Sequence, residues 1–115
     1  MKHPLDYDPN EAGAPRPLPA TAQARKQVPL ATFLLEYFPD AFIDLARCSY
    51  IANEQHNPGE PMHWARGKST DHLDCLMRHL MERGEVDSDG ILHDTKVAWR
   101  ALANLQLTIE KRREN

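Results

Sequence analysis

Proline and glycine partition this chain more firmly than any other signal in it. Six of the nine prolines fall within the first 29 residues, at Pro4, Pro9, Pro15, Pro17, Pro19 and Pro29, where no apolar period repeats. "NPGEP" at 57–61 makes a second interruption and "GEVDSDG" at 84–90 a third. Proline lacks the N–H that a continuing helix needs, and glycine takes the left-handed conformation that closes one. Long elements are therefore confined to the stretches between these breaks, which repeat at helical spacing and show no strand-like alternation. The expected fold class is all-α, with three principal helices in a small bundle. An extended Pro-rich N-terminal arm occupies 1–29 and the helical domain 30–115.

The first helical stretch runs from Thr32 to about Asn57, with Thr32 to Phe38 as a shorter lead-in and Pro39 in the first turn of the main helix. On a helical wheel Phe38, Phe42, Leu45, Ser49, Ala52 and His56 share one stripe. Ile43, Tyr50 and Ile51 point the opposite way, a second apolar strip that suits a partner helix. A second helix is expected over about 70–83, with Ser69 or Thr70 as its N-cap and Gly84 as its end. Leu73, Leu76, Met77, Leu80 and Met81 form its apolar arc. The third, from about Ile91 to Arg112, is expected to bury Ala98, Ala101, Leu102, Leu105 and Ile109, with Asp94 as an N-cap.

Charge and size narrow the partners. With a net charge of -3 and a pI near 6.0, the chain lacks the clustered lysine and arginine that duplex nucleic acid requires. Two cysteines, Cys48 and Cys75, are too few for a disulfide framework, and no apolar h-region follows the initial Met-Lys. A reduced, cytoplasmic location is expected. No apolar run approaches the roughly 20 residues needed to cross a bilayer. A domain of this size buries roughly two-thirds of its unfolded surface, so its core is thin and a homo-oligomer is expected.

Chemistry concentrates in three places. The loop "QHNPGEPMHWARGKSTDH" at 55–72 combines His56, His63, Trp64, Arg66 and Lys68. A planar ring stacks on a base while cations hold phosphates, so these residues are candidate substrate contacts. On the second helix the face opposite the apolar arc carries Asp71, Asp74 and Arg78 on one stripe and His72, Cys75 and His79 on another. The latter are metal-ligand residue types, and Asp71 or Asp74 with Glu82 or Glu85 is an oxygen-donor set suited to Mg²⁺ or Mn²⁺. The third helix aligns His93, Val97, Arg100 and Asn104 along a polar edge able to meet a base or phosphate. No Walker-type loop or dinucleotide fingerprint occurs.

Together "EYFPDAF", "CSYIANEQHNPGEPMHWARGKSTDHLDCLMRHL" and "DSDGILHDTKVAWRALANLQ" resemble the phage-associated dATP/dGTP diphosphohydrolase N-terminal-type family over about residues 28–110. The resemblance implies a helical nucleotide-handling protein of phage origin, acting in the host cytoplasm. It would convert purine deoxynucleoside triphosphates to monophosphate and pyrophosphate with Mg²⁺ or Mn²⁺. Placed on the matching segments, the candidates are His79 and Glu85 for catalysis, and His56, His63, Trp64, Arg66, Lys68, Arg78 and Asn104 for substrate. Asp71, Glu85 and His93 are the candidate metal ligands. Asp87 and Asp89 add further carboxylate nearby. The Glu-x-x-Glu then Glu-x-x-Asp pattern of other all-α pyrophosphohydrolases is matched only in its first half, by Glu82 and Glu85. The same residues also suit a non-catalytic phage protein that sequesters a host defence signalling nucleotide at a subunit interface. A virion or assembly protein, its arm wrapped on neighbours, is a third reading and needs no pocket at the loop.

Overall fold

A computed structural model describes residues 18–114. The fold is all-α: five helical segments and, among the described residues, no strand. The segments are α1 (Ala22–Arg25), a π-helical stretch (Thr32–Tyr37), α2 (Pro39–His56), α3 (His72–Met81) and α4 (His93–Glu114). Of the expected arm, Pro4, Pro9, Pro15 and Pro17 lie outside the described residues. Its remainder is not wholly extended, because Thr21 accepts a 3.2 Å hydrogen bond from the Ala24 N–H and thereby starts α1. The described residues fall into two compact units, 18–38 with 105–114 and 39–104. In the first, Phe33 and Phe38 meet edge to face at 5.2 Å, and Arg25 holds the Pro19 carbonyl at 2.8 Å.

The second unit carries the chemistry. Pro39 opens α2 as expected, since its missing N–H is one a first turn leaves unpaired anyway. The helix closes at His56, where Asn57 N–H bonds the Asn53 carbonyl at 2.6 Å and Gly59 follows at φ +78°. Asn53 then secures the loop, its side-chain N–H donating to the Glu60 carbonyl at 2.9 Å. Two hydrogen bonds join α2 to α4: Trp99 Nε1 donates to Ser49 Oγ at 2.7 Å, and Thr95 Oγ1 donates to Asp44. Leu45 is buried on the same side of α2.

α3 starts one or two residues later than the sequence suggests. Asp71 is the N-cap, and its side chain makes no capping bond. Ser69 is committed elsewhere: its Oγ donates to Asp71 Oδ1 at 3.2 Å and accepts from Arg100 at 3.0 Å. At the other end Gly84 takes φ +84°, and its N–H bonds Asp94 Oδ1 at 2.6 Å. Asp94 sits in the first turn of α4, which begins at His93. Instead of capping that helix, its carboxylate ties α4 to the end of α3.

The helices α3 and α4 are rotated relative to the sequence expectation. Leu73, Met77 and Met81 of the apolar arc are 58%, 55% and 81% exposed, while His72 is buried and Cys75 and His79 are half-buried. On α4 the buried positions are His93, Thr95 and Ala103, whereas Leu102 and Leu105 are exposed. Both helices thus turn polar stripes inward. The hydrophobic residues buried among those described are Ala24, Leu45, Ile91 and Ala103, with Pro19 also enclosed.

Candidate metal centre and adjoining cleft

Residues 85–93 fold back on themselves in a short hairpin-like turn. Asp87 N–H bonds the Ile91 carbonyl at 2.8 Å, His93 N–H bonds the Glu85 carbonyl at 3.0 Å, and Val86 pairs with Leu92. Gly90 allows the reversal by adopting φ +83°. Asp and Ser in "DSDG" supply the local side-chain bonds that such turns use: Asp87 Oδ1 accepts from Ser88 N–H at 2.7 Å and Asp89 Oδ1 from Ile91 N–H at 3.1 Å. Ile91 anchors the turn by complete burial.

The turn presents Asp87 to the first residue of α4. His93 Nδ1 lies 3.9 Å from Asp87 Oδ2 and 2.9 Å from Nδ1 of His79, which projects from the last turns of α3. Ligand atoms of His79, Asp87 and His93 all lie within 4.8 Å of one another, a compact cluster that can coordinate a metal ion. Two imidazole nitrogens with one carboxylate oxygen are a donor set that divalent transition metals accept readily. Glu82 approaches the opposite side of His93, its Oε2 3.6 Å from Nε2. A carboxylate there favours the tautomer protonated on Nε2 and leaves Nδ1 as the ligating atom.

Electrostatics prepare the cluster. Burial holds His79 below the ordinary histidine range, and the neighbouring His93 pushes it in the same direction. Its neutral form, the one that ligates metal, is favoured. Asp87 is lowered to about 2, chiefly by its hydrogen bond with Lys96. Lys96 Nζ donates at 2.6 Å to Asp87 and at 2.8 Å to Asp89, clamping the two carboxylates.

His79 also lines a cleft of about 610 Å³ enclosed by the second unit. That volume lies within the range typical of small-molecule sites, roughly 300–1,000 Å³. Trp64 and Trp99 meet edge to face at 5.9 Å in its wall. Arg100 Nη1 contacts both Ser69 Oγ and His72 Nδ1 at 3.0 Å. Lys68, Lys96 and Arg100 supply the positive charge, while Asp89 is the carboxylate in the lining.

The sequence candidates distribute unevenly over this geometry. His56, His63, Trp64 and Lys68 line the cleft. Arg66 lies over the Trp64 ring, with its guanidinium carbon 4.4 Å from the centroid. His79 and His93 enter the metal cluster together. Asp71 instead bonds Ser69, Cys75 and Arg78, which also places Arg78 on that side of α3. Glu85 reaches the cluster through its backbone carbonyl, and Asn104 is a half-buried residue of α4 outside the cleft lining. In the sequence alone Asp87 stands out merely as nearby carboxylate, and Lys96, Trp99 and Asn53 carry no signal of their own. The turn residues of "DSDG", six positions ahead of His93, were the available signal for Asp87.

The fold and site define an all-α protein with a cluster competent to bind metal beside a cationic and aromatic cleft. No protein-family model, curated protein or solved structure matches the chain.

Proposed function

We propose that this protein is a metal-dependent pyrophosphohydrolase of purine deoxynucleoside triphosphates. The observation carrying this reading is that His79 belongs both to the His79/Asp87/His93 cluster and to the wall of the cleft. A metal held there would be adjacent to whatever the cleft holds. When bound, such an ion supplies Lewis-acid stabilisation of phosphate charge and a more acidic water. Lys68 and Arg100 would grip the triphosphate, Trp64 and Trp99 would flank the base, and Glu82 would hold His93 in its ligating orientation. Of Mg²⁺ and Mn²⁺, the two imidazoles favour Mn²⁺, because Mg²⁺ prefers oxygen donors.

Product analysis tests the reading. Incubation of dGTP or dATP with Mn²⁺ and the protein, resolved by ion exchange, is expected to give monophosphate and pyrophosphate, and Asp87→Ala is expected to abolish both. Intact nucleotide with the unaltered protein would overturn it.

A second reading, capture of a signalling nucleotide without cleavage, is favoured by the lining itself, where Lys68, Lys96 and Arg100 outnumber the single carboxylate Asp89. Intact nucleotide that co-elutes with the protein would select this alternative.

We also propose that the working form is a homo-oligomer. The exposed apolar arc of α3 supports it, as does the small number of fully buried apolar side chains among the described residues. A chain with so thin a core needs a partner available whenever it is made, and a second copy of itself is that partner.

A further inference from the structure

We infer that Asn53 and His72 form a base-reading subsite that recognises the hydrogen-bonding edge of a purine. This deepens the nucleotide reading above and rests on it. Both residues line the cleft, and both are more than nine-tenths buried, with 6% and 7% exposure. Each keeps one buried polar atom without a partner among the described residues, Asn53 Oδ1 and His72 Nε2.

Their neighbours fix the hydrogen-bonding sense of both atoms. The Asn53 amide is oriented by donation of its Nδ2 to the Glu60 carbonyl at 2.9 Å, which leaves Oδ1 as an acceptor. Arg100 Nη1 lies 3.0 Å from His72 Nδ1. A guanidinium only donates, so Nδ1 accepts and the ring proton resides on Nε2. These two residues of the cleft lining therefore keep one acceptor and one donor, and both atoms are buried from water. Unpaired buried polar atoms are costly and native proteins rarely retain them without a purpose. A ligand that supplies one N–H and one acceptor atom would satisfy both.

A purine presents that combination on a single edge. Guanine offers N1–H beside O6, and adenine offers its amino group beside N1. The ring system suits the same wall, where Trp99 lies 5.9 Å from Trp64 and 6.4 Å from the His72 ring, centroid to centroid. In this arrangement Asn53 Oδ1 accepts from the base N–H and His72 Nε2 donates to the base acceptor. The triphosphate reaches the cationic and metal-binding residues. Because the specificity elements are already desolvated, a ligand lacking either group leaves one of them unpaired, which is how hydrogen-bonding sites reject analogues.

The experiment is a calorimetric titration of the full-length protein with Mn²⁺ present, using dGMP, dAMP, their 1-methyl counterparts and inorganic triphosphate. Monophosphates cannot release pyrophosphate, so turnover does not intrude, and methylation at N1 alters the edge without any change to the protein. Binding of dGMP or dAMP with a 1-methyl form weaker by about tenfold or more is the expected result. Equal binding of the methylated and unmodified forms would overturn the base-reading subsite while leaving nucleotide binding intact. Binding of triphosphate alone would also overturn it, because the cleft would then recognise phosphate only. Binding of none of the probes would refute the nucleotide reading itself, and the subsite with it.

Discussion

Among individual residues, the metal cluster makes the sharpest demands. His93 is fixed three times over: its backbone N–H bonds Glu85, its Nδ1 faces His79 and Asp87, and Glu82 approaches its Nε2. Asp87 and His93 each offer one ligand atom to the cluster, so Asp87→Ala and His93→Ala are expected to weaken Mn²⁺ binding about a hundredfold in equilibrium dialysis. Second-sphere removal costs on the order of tenfold to a hundredfold, and Glu82→Gln is expected at the lower end. Glu85→Ala is the control, because the carbonyl that supports His93 survives the change. Cys48 offers an independent probe of the cleft it lines. Burial raises its thiol pKa above the ordinary value, with the positive charge of Lys96 opposing the shift. Less thiolate is then present at any pH below the raised pKa, so iodoacetamide is expected to label Cys48 more slowly than a free thiol. The rate should rise at higher pH, and bound dGTP should slow it further.

The helices show where sequence patterning succeeds and where it misleads. The breaks at "NPGEP" and "GEVDSDG" placed all three principal helices, because backbone chemistry acts locally. Orientation was not legible in the same way. An apolar arc ordinarily marks the buried face, yet α3 turns His72 and His79 inward and exposes Leu73, Met77 and Met81. The bonds responsible join distant residues, such as His79 to His93 and Arg100 to His72, and no periodicity within one helix encodes them. The candidate site was partly visible for the same reason. The loop histidines and Trp64 announce themselves by type, whereas the fitness of Asn53, Lys96 and Trp99 depends on folding. One local link is testable at this level: Asp94→Ala deprives the Gly84 N–H of its acceptor and is expected to cost about 1 kcal/mol in urea denaturation at fixed protein concentration. No change in the midpoint would show that the tie between α3 and α4 contributes nothing.

For the molecule as a whole, the inward polar stripes and outward apolar arcs have one common consequence. Where a simple bundle would pack aliphatic side chains, the second unit holds a cationic and aromatic cleft, and among the described residues the apolar arc of α3 is left exposed. Sedimentation velocity is expected to show a dimer or larger species, and Met77→Glu with Met81→Glu on the exposed arc of α3 is expected to shift it toward monomer. A monomer at all concentrations for the unaltered protein would exclude the oligomer. No described helix is long and apolar enough to cross a membrane. We propose that His79, Asp87 and His93 form one metal site opening on a cleft that takes a nucleotide. It is tested most directly by Mn²⁺ titration monitored by electron paramagnetic resonance, with and without dGTP. One tightly held Mn²⁺ per chain is expected, lost in Asp87→Ala and bound more tightly when dGTP is present. Mn²⁺ that stays free in solution with the unaltered protein, or that binds Asp87→Ala equally well, would contradict it.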